Sequence, residues 1–293
     1  MLAAALRFSL LVELLVYGLT ASRYLGLPAE QAALAAICTL LGVRAGFIAT
    51  TYLFAVAHHS PAPRLGACRA AAMAAAEYLA FLRLFLLIQP FERLWMGADR
   101  LEKGRPVLVL VHGYGCNRGA WWWLRRAFER AGYAVATLNL EPVYTGIDDY
   151  VALLDARIEA ACGETGCARV TLIGHSMGGL VVRAYLAARG ESRVAQAVTI
   201  ASPHAGSALA RIGLGRNARQ MEPGSAWLKV LWQQRLHTPF VTLRNSHDNF
   251  VMPQDNQRLP GATDIELPGL GHLAVLFSRK AAAELLGVLA TRT

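Results

Sequence analysis

The pattern of hydrophobic and polar positions changes near residue 100 of this chain. Before that point, long apolar stretches cover residues 5–27, 32–57 and 70–90, and only a few charged residues interrupt them. Stretches of this length can cross a bilayer as tilted helices. After residue 105, short apolar runs alternate with amphipathic segments. This change predicts a hydrophobic helical region at residues 1–95 and a second domain at residues 105–293.

The charges inside the apolar stretches restrict how these helices can pack. They are Glu13, Arg44, Glu77 and Arg83. Ionised groups are costly in hydrocarbon, so we expect them to face one another or the interior of a helical bundle. A membrane anchor is favoured because the mean hydropathy is +0.34 and 55% of the residues are hydrophobic. The alternative is an amphipathic helical subdomain packed on the second domain.

A cleaved signal peptide at residues 1–22 fits less well than an uncleaved anchor. Arg7 is the only basic residue before the apolar core, Glu13 interrupts that core, and equally apolar stretches follow. We therefore expect a membrane-associated protein. Two spans would leave the second domain on the side of the N-terminus, whereas three would carry it across the membrane.

Strand-like and helix-like segments alternate through the second domain. Strands are predicted at residues 106–112, 133–139, 168–174, 194–201, 239–245 and 262–267, and helices at residues 119–131, 147–161, 177–189 and 275–290. Such alternation predicts an α/β fold, in which a mostly parallel sheet carries helices on both faces.

The segment Gly174-His175-Ser176-Met177-Gly178 lies between the third predicted strand and the following helix. A sharp strand-to-helix turn strains its central residue and needs small neighbours two positions to either side, which Gly174 and Gly178 provide. The helix N-terminus behind the turn supplies free amides and a positive dipole end. The pattern therefore predicts Ser176 as a nucleophile.

A nucleophile of this type is followed along the chain by an acid and then a histidine. Asp248 follows the predicted strand at 239–245, where parallel sheets collect their functional residues. His272 lies in the glycine-containing loop before the last helix and is the best candidate base. Asp255 and Asp264 compete for the acid role. The other histidines considered for the base are His112, His175, His204, His237 and His247.

Ser176, Asp248 and His272 would carry out acyl transfer, and the oxyanion that develops needs donors held in place. The Met177 amide, at the start of the helix, is one candidate. The loop His112-Gly113-Tyr114-Gly115 after the first strand contributes the second, for which Tyr114 N–H is the candidate.

Four motifs together resemble the bacterial true lipases and related esterases of the α/β-hydrolase fold. They are His112-Gly113-Tyr114-Gly115, Gly174-His175-Ser176-Met177-Gly178-Gly179, Ser202-Pro203-His204-Ala205-Gly206-Ser207 and Gln220-Met221-Glu222-Pro223-Gly224-Ser225. The resemblance covers residues 105–292 and implies a Ser176, Asp248 and His272 triad with Tyr114 and Met177 as oxyanion donors. It also implies an ester or lipid substrate. Together with the apolar N-terminal stretches, it predicts a bacterial inner-membrane location, with the side of the catalytic domain left open. The interval between Ser176 and Asp248 leaves room for only a short cap.

We predict no metal and no other cofactor, because the carboxylates of the calcium site found in such lipases have no clear counterparts here. The net charge of +9 suits anionic lipid headgroups, and no basic cluster with interleaved aromatic residues indicates a nucleic-acid partner. A thioesterase or amidase could use the same triad. A non-catalytic membrane-bound binding module on the same fold is a further alternative.

Overall fold

The computed structural model describes residues 1–291, and its centre is a six-stranded parallel sheet. Its strand order is β2-β1-β3-β4-β5-β6. The strands are β1 (Val107–Val111), β2 (Ala134–Thr137), β3 (Val170–His175), β4 (Val194–Ile200), β5 (Phe240–Arg244) and β6 (Thr263–Glu266). Every residue of β1 and β5 is buried, as expected for parallel strands covered on both faces. The predicted α/β architecture is confirmed.

Ten α-helices are found among residues 1–291. They are α1 (Leu2–Leu25), α2 (Ala29–Ala57), α3 (Ala67–Leu82), α4 (Glu92–Met96), α5 (Trp122–Arg130), α6 (Val151–Thr165), α7 (Met177–Arg189), α8 (Gly215–Gln220), α9 (Ala226–Trp232) and α10 (Arg279–Ala290). A π-helical segment, Arg83–Ile88, continues α3. Only α8, α9 and the short 3-10 turn Ala208–Ile212 lie between β4 and β5.

Three predicted helices begin as 3-10 turns rather than as regular α-helix. The turns are Arg118–Trp121, Ile147–Tyr150 and Ala274–Phe277. The last of these is separated from α10 by Ser278, whose hydroxyl accepts a hydrogen bond from Ala281 N at 3.2 Å. This N-cap starts a new helix at Arg279, so the predicted helix at 275–290 is interrupted.

Helices α1 and α2 form an apolar hairpin with an ion pair between them. Arg44 Nη2 donates to Glu13 Oε1 over 2.8 Å, so these two half-buried charges face each other as expected. Large apolar side chains, Phe8, Leu15, Leu53 and Val56 among them, remain exposed on these two helices. By length and composition α1, α2 and the segment Ala67–Ile88 can each cross a membrane.

The third apolar segment also packs into the second domain. Ala80, Leu84 and Ile88 are buried in the same apolar core as Leu108 of β1 and Val198 of β4. The Arg83 guanidinium lies 5.9 Å from the centre of the Phe277 ring. Glu77 is fully buried against the loop that contains His272 and does not pair with Arg83. One face of α3 therefore belongs to the core that covers the sheet, as the amphipathic alternative predicts for this segment.

Candidate active site

Ser176 occupies a strained turn between β3 and α7. Its backbone has φ 54° and ψ −128°, a conformation that side-chain-bearing residues rarely adopt. A Cβ atom on Gly174 would lie 2.5 Å from the Gly179 nitrogen, and one on Gly178 would collide with the carbonyl oxygen of Val111. The turn can therefore form only because both glycines allow this close backbone approach.

Asp248 and His272 are in direct contact beside this turn. His272 Nδ1 lies 2.8 Å from Asp248 Oδ2, and both side chains are buried. The other carboxylate oxygen, Oδ1, accepts hydrogen bonds from Phe250 N at 2.7 Å and Val251 N at 2.8 Å. These amides fix the orientation of the Asp248 carboxylate, so it can hold the His272 ring in one tautomer.

The environment of His272 raises its pKa above the usual value for histidine. Burial acts in the opposite direction and is the largest single influence, but the negative charge of Asp248 and the hydrogen bond to Nδ1 together outweigh it. Glu77 makes a smaller contribution of the same sign as Asp248. An imidazole with a raised pKa is a stronger base for accepting a proton from a serine hydroxyl.

The competing acids lie in a separate ion-pair cluster at the β5–β6 edge of the sheet. Asp264 Oδ1 accepts from the Thr242 hydroxyl at 3.0 Å, and Asp264 Oδ2 accepts from Arg258 Nη1 at 2.7 Å. Asp255 accepts from Arg258 Nε at 2.9 Å. Neither carboxylate contacts His272, so the geometry selects Asp248 as the acid partner.

Three of the competing histidines support the backbone around the site. His112 accepts from Leu140 N at 3.0 Å and donates to the Gly113 carbonyl at 2.9 Å, and burial lowers its pKa to about 4. His175 Nε2 donates to the His272 carbonyl at 3.0 Å, and burial lowers its pKa well below the usual value. His247 contacts the Pro63 carbonyl at 2.8 Å and accepts from Gly269 N.

Tyr114 and Met177 both lie next to the nucleophile turn, Tyr114 directly after Gly113 and Met177 directly after Ser176. Met177 is the first residue of α7, so its amide lies at the helix N-terminus. Gly113 lies so near the nucleophile turn that a Cβ atom on it would be 2.9 Å from Ser176 Cβ. The Tyr114 hydroxyl donates to the Leu214 carbonyl at 2.8 Å and thereby fixes the segment before α8 over the site. The Tyr114 and Met177 amides thus belong to backbone segments that adjoin Ser176.

Ser176 and His272 open onto an apolar cavity of about 440 Å³. Met221, Leu209 and Ile212 line it from the cap, and Leu6, Phe47, Phe81 and Phe85 line it from the N-terminal helices. Sequence reasoning did not predict that this N-terminal region contributes to the site. Within residues 1–291, no group of three or more His, Cys, Asp or Glu side chains is placed to hold a metal ion.

Two further residues missed from the sequence connect the N-terminal helices to the His272 loop. Asn249 Oδ1 accepts from His272 N at 3.1 Å, while Asn249 Nδ2 donates to the Thr51 hydroxyl of α2 at 2.7 Å. The Glu77 carboxylate of α3 accepts from Leu273 N at 2.9 Å and from Ala274 N at 2.8 Å. The position of Asn249 directly after Asp248 was the only signal in the sequence; for Glu77 the signal was a carboxylate within an apolar stretch.

Comparisons with known proteins agree with this fold. Residues 106–233 match the family described as alpha/beta hydrolase fold. A triacylglycerol lipase of Burkholderia plantarii is 33% identical over 123 residues, which cover 39% of this chain and 34% of that protein. A triacylglycerol lipase of Pseudarthrobacter phenanthrenivorans is 34% identical over 121 residues, which cover 39% of this chain and 38% of that protein. The chain thus spans little more than a third of these relatives.

Solved structures extend the similarity of the fold to about two thirds of the chain. The mature lipase BlEst2 of Bacillus licheniformis matches with a TM-score of 0.58 and 20% identity, over 68% of this chain and 96% of that one. Lipase B of Aspergillus fumigatus matches with a TM-score of 0.58 and 16% identity, over 66% of this chain and 55% of that one. The six parallel strands, the family match over residues 106–233 and these structures together show that the chain has the α/β-hydrolase fold.

Proposed function

We propose that this protein is a membrane-associated serine hydrolase that cleaves carboxylic esters, most specifically the acyl esters of lipids. The observation that carries the proposal is that Ser176 and His272 line the same apolar cavity, with Asp248 hydrogen-bonded to His272. A site for a long acyl chain needs this combination of apolar walls and a few convergent polar groups. The lipase relatives support the same class of reaction.

In the proposed mechanism, Ser176 is the nucleophile and His272 the general base. His272 Nε2 accepts the hydroxyl proton as Ser176 Oγ attacks the ester carbonyl carbon, and Asp248 stabilises the imidazolium through Nδ1. The Met177 and Tyr114 amides stabilise the oxyanion of the tetrahedral intermediate. The C–O bond to the alcohol then breaks as His272 returns the proton to the leaving oxygen. Water, activated by His272, hydrolyses the acyl-serine ester.

The proposed organisation follows from the same observations. Residues 1–95 associate with the membrane, and residues 105–293 form the catalytic domain. The exposed apolar faces of α1 and α2 support membrane association, and a bacterial inner membrane is the proposed location. The proposal includes no cofactor, metal or nucleic-acid partner.

Hydrolysis of p-nitrophenyl esters with acyl chains from short to long tests the proposal on the full-length protein in detergent. We expect activity that favours longer chains and that falls at least about 10³-fold in Ser176→Ala. A fluorophosphonate probe should label the wild type and not this variant. Activity restricted to short chains would contradict a lipid substrate.

Folded protein that neither hydrolyses esters nor reacts with the fluorophosphonate would refute the serine-hydrolase proposal and favour the binding module. Labelled protein that cleaves acyl thioesters or amides in preference to esters would instead support the alternative enzyme, because the triad by itself does not select the leaving group.

A further inference from the structure

Besides Leu2, the apolar cavity at Ser176 is lined by four side chains of the N-terminal helices that also line a second cavity. These are Leu6, Phe47, Phe81 and Phe85, which we call the helical wall. The ring centres of Phe47 and Phe81 are 5.4 Å apart, and those of Phe81 and Phe85 are 4.6 Å apart. The wall therefore consists of packed side chains from α1, α2 and the α3 segment.

The helical wall also lines a second cavity. This cavity, of about 260 Å³, is bounded by the wall together with Ser9, Leu10, Val43 and Arg44. The two cavities thus share these four side chains: the first reaches Ser176, and the second lies against α1 and α2. Beyond the second cavity, Leu15 of α1 and Leu53 of α2 are 55% and 70% exposed, respectively. Such an apolar surface fits the hydrocarbon of a bilayer.

Aromatic contacts continue from the helical wall to the candidate catalytic base. Phe47 lies 6.1 Å from Phe250, and Phe250 lies 5.1 Å from the His272 ring, measured between ring centres. Helix α2 is also bonded to this region, through Thr51 and Asn249 to the His272 amide. The helices that form the wall are therefore attached to the loop that carries the base.

We infer that the helical wall is the entrance through which the acyl chain of a bilayer lipid reaches Ser176 laterally, and that its side chains select the length of that chain. The inference rests on the proposed function and specifies the substrate as a long-chain acyl ester held in the membrane. In the bound state the ester group lies at Ser176, while the hydrocarbon passes between Leu6 and the phenyl rings into the second cavity. Apolar contacts along this path replace contacts with the bilayer.

The test uses the full-length protein in phosphatidylcholine vesicles with two p-nitrophenyl esters, the butyrate in solution and the palmitate in the bilayer. The measured quantity is the ratio of kcat/KM for palmitate to that for butyrate. Leu6→Trp should lower this ratio about tenfold or more, because a misfit of one methylene in an apolar pocket changes discrimination by about 10–200-fold. Leu10→Trp, which fills only the second cavity, should lower the ratio in the same direction.

The matched control is Leu15→Trp, on the exposed outer side of α1, and it should leave both rates unchanged. Fluorophosphonate labelling of each variant at the wild-type rate confirms that the site is folded. An unchanged ratio in Leu6→Trp and Leu10→Trp, in protein that labels normally, would overturn the inference alone. Wild-type protein that neither labels nor hydrolyses either ester would instead refute the proposed function on which the inference depends.

Discussion

Glu77 offers a test of whether α3 controls the catalytic histidine. Its carboxylate is fully buried and accepts from the amides of Leu273 and Ala274, the two residues that follow His272. Glu77→Ala leaves both buried amides without an acceptor, at a cost of about 1–3 kcal/mol each. We expect the free energy of unfolding to fall by about 2–4 kcal/mol once water or local relaxation recovers part of this loss.

Activity should fall together with stability in Glu77→Ala, because the His272 ring depends on this loop for its position. A displacement of about 1 Å at a reacting group can cost on the order of 10²-fold in rate, so a loss of kcat of about 10–100-fold is expected. Glu77→Gln retains one acceptor oxygen and the size of the side chain. Its losses of stability and kcat should therefore be smaller than those of Glu77→Ala.

The pH dependence of kcat/KM distinguishes control of His272 from a purely structural role. When ionised, Glu77 adds less than Asp248 to the raised pKa of His272, so Glu77→Gln should lower the pKa of the acidic limb by less than Asp248→Asn does. The assay is p-nitrophenyl butyrate hydrolysis by the full-length protein across pH, together with thermal unfolding. The control is Glu30→Gln, since Glu30 is exposed in the first turn of α2, roughly 30 Å along the helix from Thr51.

The reasoning would be refuted if Glu77→Ala kept wild-type kcat, or if Glu77→Gln left the acidic limb in place. It would also fail if Glu30→Gln shifted that limb as much as Glu77→Gln did, because the effect would then follow overall charge rather than contact with the His272 loop.

Three further variants test other parts of the site. Asp248→Asn should lower kcat on the order of 10⁴-fold, because the wrong imidazole tautomer is then favoured. In the wild type, kcat/KM should rise with pH through a pKa above that of ordinary histidine, since only the neutral ring accepts a proton. Asp248→Asn should lower the pKa of this acidic limb. Gly178→Ala places a methyl group against the Val111 carbonyl and should lower the free energy of unfolding by about 3 kcal/mol, measured as a lower Tm. An unchanged Tm would contradict the close approach of Gly178 to the Val111 carbonyl. Thr51→Val removes the hydroxyl that is hydrogen-bonded to Asn249 and should lower the free energy of unfolding by about 1 kcal/mol. It should also reduce kcat/KM for p-nitrophenyl butyrate by a few-fold. Wild-type values in denaturant unfolding and in rate would contradict the role of the Thr51–Asn249 hydrogen bond.

Most of the α/β architecture could be predicted from local pattern. The apolar run that forms β1 reads directly as a buried strand, and the glycines around Ser176 identify the turn because no other residues fit that backbone. Chain order after Ser176 led to Asp248 and His272, which the structure brings within 2.8 Å of each other. Their catalytic roles, with those of Tyr114 and Met177, stay predictions for the variants above to test.

The boundaries of elements were less predictable than their existence. The helix predicted at 275–290 is divided because Ser278 caps a new helix. Hydrophobic periodicity does not indicate where one helix ends and the next begins. Cys162 and Cys167 illustrate a similar case of local ambiguity. Their sulfur atoms are 3.2 Å apart and both are free thiols in the structure, although two cysteines five positions apart can also form a disulfide.

The sequence by itself determined the parallel α/β domain, the strained turn at Ser176 and the apolar character of the first helices, since each depends on residues close together along the chain. Only the tertiary structure decided that those helices contact the His272 loop and line the cavity at Ser176. Glu77 meets Leu273 across 196 positions of sequence, and Phe81 shares a cavity with Ser176. Such contacts depend on how whole elements pack, and a hydrophobic pattern that fits a bilayer also fits the wall of an apolar site.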